Sequence, residues 1–204
     1  MEVVKCTAEG VLHCSEVVRR GGVIVFPTDT VYGIGCDPRN SKAVSKVFEL
    51  KHREKRKPLP VLVHDKLEAV KMIDMEKAKD LASRYWPGPL TIVAPLLDSS
   101  IVPALAAGTE KLGVRVPANK CILDLLYHCR ILVGTSANLS GHAPPKSAGE
   151  VLASGLEGFD VLLDGGHVEG GRESTIVDIM AGNIVREGAI SGKDVLDVLR
   201  VSKR

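Results

Sequence analysis

A chain of 204 residues with 45% hydrophobic content is long enough to bury one sizeable core and fits one domain, residues 1–204, better than two small ones. Its net charge is only +2, yet residues 42–57 gather seven Lys or Arg against two Glu, which favours a local phosphate-binding or docking patch over a nucleic-acid coat spread across the surface. With no signal-like start and no run of about 18 apolar residues, a soluble cytoplasmic protein without membrane contact is expected, and its five cysteines, lacking any CxxC pair, are expected to be reduced packing residues.

Val11, Leu12, Val17 and Val18 recur at near-helical spacing over 8–20, and Gly21-Gly22 stops that helix. A strand over 23–26 then meets Pro27, which has no N–H to give a ladder. Pairing stops where Thr28, Asp29 and Thr30 become available, and Gly33 and Gly35 permit close backbone approach. The loop suits a small polar ligand at a sheet edge, and equally a well-capped turn. Ser41 can cap a helix to about Leu50 with Ala43, Val44, Val47 and Phe48 inward. The basic run Lys51-His52-Arg53-Glu54-Lys55-Arg56-Lys57 therefore falls on a helix end and the loop after it. Such a run is either a solvated terminus or, if the ending helix lets Lys51 and Arg53 converge, a site for phosphate.

Leu59 to Val63 reads as a buried strand, 66–86 as two short helices ended by Pro87-Gly88-Pro89, and Leu90 to Leu96 and Gly113 to Val116 as further strands. Asn119 caps a helix carrying Ile122, Leu123, Leu125 and Leu126, which leads into strand 131–134. That strand ends in Thr135-Ser136-Ala137-Asn138-Leu139-Ser140-Gly141, a loop rich in hydroxyl, amide and free N–H donors such as a nucleotide needs, or a plain connection. Ser147 with Glu150 makes a capping box, and strand 160–163 precedes the glycine-rich stretch 165–171, which lacks dinucleotide spacing and reads as a mobile loop, with a hinge or lid in view. Ser174 to Ile179 and Ile184 to Arg186 form a hairpin about Gly182-Asn183, and a last helix starts at Ser191. Strands that alternate with helices and then pair as a hairpin give an α/β fold, a twisted mixed β-sheet with helices packed on its faces. The six histidines have no metal-ligand spacing and no nucleophile elbow is present, so no protein-built metal site is expected and catalysis, if any, works by positioning.

Taken in order, Pro27-Thr28-Asp29-Thr30-Val31-Tyr32-Gly33, Lys51-x-Arg53 with Lys57-Pro58-Leu59, Ser136-x-Asn138 with Ser140-Gly141, and Ser174-Thr175-Ile176-Val177-Asp178 resemble the YrdC-like threonylcarbamoyladenylate synthase family over about residues 10 to 190. The resemblance implies a nucleotidyltransferase with the YrdC-like fold. It would condense L-threonine, bicarbonate or CO2 and ATP to L-threonylcarbamoyladenylate and pyrophosphate, for the N6-threonylcarbamoyladenosine modification of transfer RNA. A separate tRNA threonylcarbamoyltransferase complex would use the product, with a direct tRNA or RNA contact as a further partner. Where residues match, Thr30, Arg115, Ser136 and Ser174 would surround threonine, and Lys51, Arg53, Lys57, Asn138, Lys146 and Arg186 would face ATP, with Lys111 at the nucleotide by position only. Lys51, Arg53, Ser136 and Asn138 would carry catalysis, and Mg2+ would enter on the ATP phosphates. His52 stands where the family often has glycine, Glu173 where it often has proline, and Leu62 where some members place a threonine-contacting histidine. The longer members add a carboxyl-terminal domain, and this chain ends near the synthase part. Two rivals remain: an RNA-binding module without catalysis, for which seven aromatic residues offer little base stacking, and a carbamoyl-adenylate-forming relative, which resembles larger multidomain chains.

Overall fold

The computed structural model describes residues 1–201. Two mixed sheets, where one was expected, organise the chain. The first has the order β1 (Glu2–Lys5), β9 (Val161–Asp164), β2 (Ile24–Phe26), β3 (Gly33–Gly35), β8 (Thr135–Ser136). In it β1 and β2 run parallel to β9, while β3 is antiparallel to β2 and β8. The second has the order β11 (Asn183–Arg186), β10 (Thr175–Asp178), β5 (Leu90–Pro95), β6 (Lys111–Arg115), β4 (Val61–Val63), β7 (Ile131–Val133). Strands β2, β4 and β7 are buried at every position, the pattern of strands covered on both faces.

The sheets separate because the chain changes partners within a few residues. After β7, Gly134 carries it out of the second sheet, and Thr135–Ser136 pair with Gly33–Ile34 of the first. The first two residues of what reads as a loop after strand 131–134 therefore form an edge strand, and the rest of that segment is irregular. Where the sheets approach, the Val133 N–H donates to Cys36 O at 2.9 Å, and a Cβ on Gly35 would overlap the Val133 carbonyl, so only glycine fits there. The strands β1 and β3 escape sequence reading because one is short and largely exposed and the other is Gly-Ile-Gly.

Seven helices cover the sheets among the described residues: α1 (Ala8–Arg19), α2 (Ser41–Leu50), α3 (Lys66–Met72), α4 (Lys79–Tyr85), α5 (Lys120–Cys129), α6 (Ala148–Ala153) and α7 (Gly192–Val201). Caps set their starts. Asn119 accepts from the Ile122 N–H as expected, but α2 is capped by Asn40, which accepts from Lys42 and Ala43, and Ser41 is already helical. The box at α6 is half formed: Ser147 Oγ accepts from Glu150 N–H, while the Glu150 carboxylate takes the N–H of Lys146 rather than of Ser147. Helices α1 and α5 share a core with β2 and β9 through Val11, Val18, Ile122 and Leu126, and a larger core includes Val44, Phe48, Leu81 and Leu199.

The expectation of five reduced cysteines is corrected at one pair. Cys6, just after β1, and Cys121, in the first turn of α5, form a disulfide with Cα atoms 6.0 Å apart. The two lie 115 residues apart in sequence, so spacing gives no hint of the pairing. Cys14, Cys36 and Cys129 are free, and burial pushes their thiols up, to about 12 for the first two and about 11 for the third. Among the described residues no helix is long and apolar enough to cross a membrane.

Candidate functional site

A cavity of about 360 Å³ opens between the two sheets. Phe26, Thr28, Thr30, Gly33 and Ser136 line it from the first, and Leu62, Thr91, Arg115, Ile176 and Arg186 from the second. The end of α2 closes one side. There the His52 N–H bonds Glu49 O at 3.0 Å and the Arg53 N–H bonds Phe48 O at 2.9 Å, with His52 at φ 48°, a left-handed stop that normally takes glycine. The turn reverses the chain within one residue. This is why Lys51 and Arg53, which a continuing helix would splay apart, both line the cavity.

Lys51 is 1% exposed, which removes it from any solvated face. Its ammonium donates to the carbonyls of Ser136 and Asn138, fixing the Ser-x-Asn segment and leaving one of three N–H groups and the charge for the cavity. Burial and the Arg53 cation lower Lys51 to about 8, with Glu173 acting the other way. Arg53 donates from Nε to Lys57 O at 3.2 Å and from NH2 to Pro58 O at 3.0 Å, curling the basic loop back over the cavity. Burial lowers its pKa too, opposed by Glu173 and reinforced by Arg186. Lys57 lines the mouth, paired at 3.1 Å with Glu54. Asn138 gives its NH2 to Leu139 O and His142 O, and its buried Oδ1 has no partner. A buried acceptor left open costs about 1–3 kcal/mol, a cost that a donor entering the cavity would relieve.

In the same lining the Arg115 guanidinium is fixed on three sides: Nε to Gly88 O at 3.0 Å, NH1 to Thr30 Oγ1 at 3.1 Å and NH2 to Asp29 Oδ1 at 2.6 Å. Of its five N–H groups, one on each terminal nitrogen is left, the number a carboxylate takes bidentately. Proton counting orders the hydroxyls beside it. Thr28 Oγ1 donates to Val31 O at 2.6 Å, so at its 2.9 Å contact with Thr30 it accepts, and Thr30 accepts in turn from Arg115. Ser174 Oγ lies 2.8 Å from Thr91 Oγ1 and accepts from Arg186 NH2 at 3.2 Å.

The glycine-rich stretch expected to be mobile is tied down. Gly171 N–H donates to Thr30 O and Val168 N–H to Lys146 O, each at 2.8 Å, and Tyr32 OH donates to Gly166 O at 2.7 Å. A Cβ on Gly170 would fall on the Asp29 and Thr30 backbone, so the stretch lies directly over the Thr28–Thr30 loop. Of the residues singled out from sequence, Thr30, Lys51, Arg53, Lys57, Arg115, Ser136, Asn138, Ser174 and Arg186 all line the cavity. Lys111 and Lys146 do not: Lys111 pairs with Asp178 at 2.7 Å, and the Lys146 side chain lies against Gly171. Sequence reading missed Thr91 and assigned no role to Glu173, though both line the cavity. A hydroxyl inside the buried run Leu90-Thr91-Ile92 is the signal that would have found Thr91.

Comparison with known proteins bears on what this cavity holds. The family model for Sua5, YciO and YrdC proteins, described as "Telomere recombination", matches residues 16–188. Threonylcarbamoyl-AMP synthase of Pyrococcus abyssi (strain GE5 / Orsay) is 37% identical over 166 residues, which are 79% of this chain and 48% of that protein. The Bacillus subtilis (strain 168) protein of the same name is 34% identical over 197 residues, 93% of this chain and 56% of its own length. The chain thus spans about half the length of these curated relatives. Among solved structures, P. abyssi Sua5 complexed with L-threonine aligns with a TM-score of 0.91 at 28% identity, over 97% of this chain and 61% of that one. E. coli YciO aligns at 0.80 over 92% of this chain and 94% of its own, and at 23% identity that likeness speaks for the fold alone.

Proposed function

Because the chain belongs to the Sua5/YciO/YrdC family, we propose that its cavity is the active site of an L-threonylcarbamoyladenylate synthase, which joins L-threonine, bicarbonate or CO2 and ATP and releases pyrophosphate. One observation carries the reading: a single cavity is lined both by a buried guanidinium, Arg115, with two N–H groups left over, and by a set of further cations, Lys51, Arg53 and Arg186. The first suits an amino-acid carboxylate, the second a triphosphate. Thr30, bonded to Arg115, and Ser174, in the same lining, are hydrogen-bonding groups for the rest of threonine, and the open Asn138 Oδ1 awaits a donor on the nucleoside. The relatives' names and the threonine bound to P. abyssi Sua5 support the same assignment.

Threonine must lose its ammonium proton, which bicarbonate takes as it breaks up into CO2 and water, before its nitrogen can bond to CO2 and shed a second proton to solvent, and a cavity that desolvates the ammonium and surrounds it with cations favours the neutral amine. A carbamate oxygen then bonds to the α-phosphorus as the bond to pyrophosphate breaks. Lys51, Arg53 and Arg186 stabilise the charge that develops on the departing group. Holding a short-lived carbamate beside ATP makes the second step intramolecular, which asks for no strong acid or base. Mg2+ would enter on the ATP phosphates and offset part of their charge, and because phosphate and water would supply most of its ligands, the lining residues would need to contribute little to hold it. The activity belongs in the cytoplasm, the product passes to a tRNA threonylcarbamoyltransferase complex, and the exposed Lys55 and Arg56 beside the mouth are the side chains for an RNA contact. Arg53→Ala and Asn138→Ala, singly and combined, should each cut product formation at least tenfold with the fold intact, and normal turnover in the double variant would refute the assignment.

A further inference from the structure

Among the described lining residues the cavity has one carboxylate, Glu173, and neither the threonine end nor the nucleotide end as assigned above uses it. Its Oε1 sits 2.8 Å from Arg186 NH1, with the two side chains 33% and 36% exposed. The same guanidinium donates to Ser174 O from Nε and NH2, at 3.2 and 2.9 Å, and from NH2 to Ser174 Oγ at 3.2 Å. Ser174 Oγ then meets Thr91 Oγ1 at 2.8 Å. One polar chain therefore runs from Glu173 through Arg186 and Ser174 to Thr91, and joins a member of the cationic set to hydroxyls on the threonine side of the assignment. Glu173 is also the counter-charge felt by Lys51 and Arg53, whereas Arg186 and Arg53 repel one another.

A triphosphate entering this cavity competes for Arg186. Without a second anion to hold it, the guanidinium would follow the phosphate and abandon Ser174, because pairing with a charged phosphate outweighs bonds to the neutral carbonyl and hydroxyl of Ser174. We propose that Glu173 is a positioning residue that keeps Arg186 on Ser174 while nucleotide is bound, so that filling the ATP end does not dismantle the threonine end. The inference rests on the synthase reading of the cavity and adds to it a mechanism for holding both substrates at once. Glu173 touches neither substrate in this role and acts through Arg186.

The test is threonine binding, measured by titration calorimetry with and without a non-hydrolysable ATP analogue and magnesium, on the wild type, Glu173→Gln and Thr91→Val. The wild type should bind threonine at least as tightly when the analogue is present. Glu173→Gln should bind threonine normally alone but about tenfold more weakly with the analogue, a coupling of ordinary size between linked sites, while its affinity for the analogue stays level or rises. Thr91→Val, which removes a cavity hydroxyl and a partner of Ser174 but leaves the Glu173–Arg186 pair in place, should weaken threonine equally in both conditions. If Glu173→Gln loses threonine affinity to the same extent with and without the analogue, or not at all, the positioning role is wrong. A wild type that binds neither threonine nor the analogue would overturn the synthase reading itself, and the proposal with it.

Discussion

Replacing Asp29 with Ala leaves the Arg115 guanidinium buried without its carboxylate. The pair is short, 2.6 Å, and its side chains are only 6% and 13% exposed, so water cannot take the carboxylate's place cheaply. Asp29 Oδ1 also accepts the Ala118 N–H at 3.0 Å, which anchors the segment before α5. Removing one partner of a buried ion pair costs about 3–5 kcal/mol. At roughly 2–4 °C per kcal/mol for a chain of this size, the melting temperature should fall by about 6–20 °C. Urea and thermal unfolding of Asp29→Ala, Arg115→Met and the double variant measure this directly. The double variant removes the stranded cation as well, so it should be more stable than Asp29→Ala and lose clearly less than the sum of the single losses. An Asp29→Ala loss below about 1 kcal/mol, or strict additivity in the cycle, would show that the pair is not the buried anchor described here. Threonine binding should disappear in Asp29→Ala even where the protein remains folded, because Arg115 is then held on two sides instead of three.

Lys51, lowered to about 8 by burial, should make ATP binding weaken as pH rises through that value. In the same window the sign for stability is opposite: the unfolded chain holds the Lys51 proton up to about 10.5, so this group makes folding more favourable as pH rises from about 8 to about 10.5. Calorimetric ATP affinity that is flat across pH 8 in the wild type, or that falls equally in Lys51→Met, would refute the assignment. His52→Gly should raise stability by about 0.5–1 kcal/mol in urea unfolding, since a left-handed residue with a Cβ costs about 1–2 kcal/mol and glycine gives back part of that in unfolded-state entropy. No gain would mean the turn is not strained. Cys6→Ser should lose up to about 4–5 kcal/mol, the ceiling for a closed loop of this length, and reductant should bring the wild type down to the same melting temperature. An unchanged wild-type melt in reductant would count against the disulfide.

Much of the fold was legible because short apolar runs bounded by Gly, Pro and capping residues leave few alternatives, as with Leu90 to Pro95 or the Asn119-capped helix. The division into two sheets was not. It depends on β8, two polar residues whose pairing is decided by Gly33 and Ile34 a hundred positions away, and on a glycine contact at Gly35 that no periodicity reports. The site followed the same rule. Hydroxyl and amide clusters at strand ends pointed to the right loops, and the basic run pointed to Lys51 and Arg53. Its convergence on the cavity, however, depends on the left-handed turn at His52, a residue type that does not announce one. Lys111 and Lys146 show the converse, since a matching position says nothing of whether the side chain reaches the cavity or an acid such as Asp178 first.

The central claim is tested most directly by incubating this chain with ATP, magnesium, bicarbonate and labelled L-threonine, omitting each substrate in turn, and resolving labelled threonylcarbamoyl-adenylate and pyrophosphate by rapid chromatography. The account predicts both products in equal amounts, and neither when ATP, bicarbonate or threonine is left out. Folded protein that yields no adenylate with all three present, or that releases pyrophosphate regardless of threonine, would contradict it.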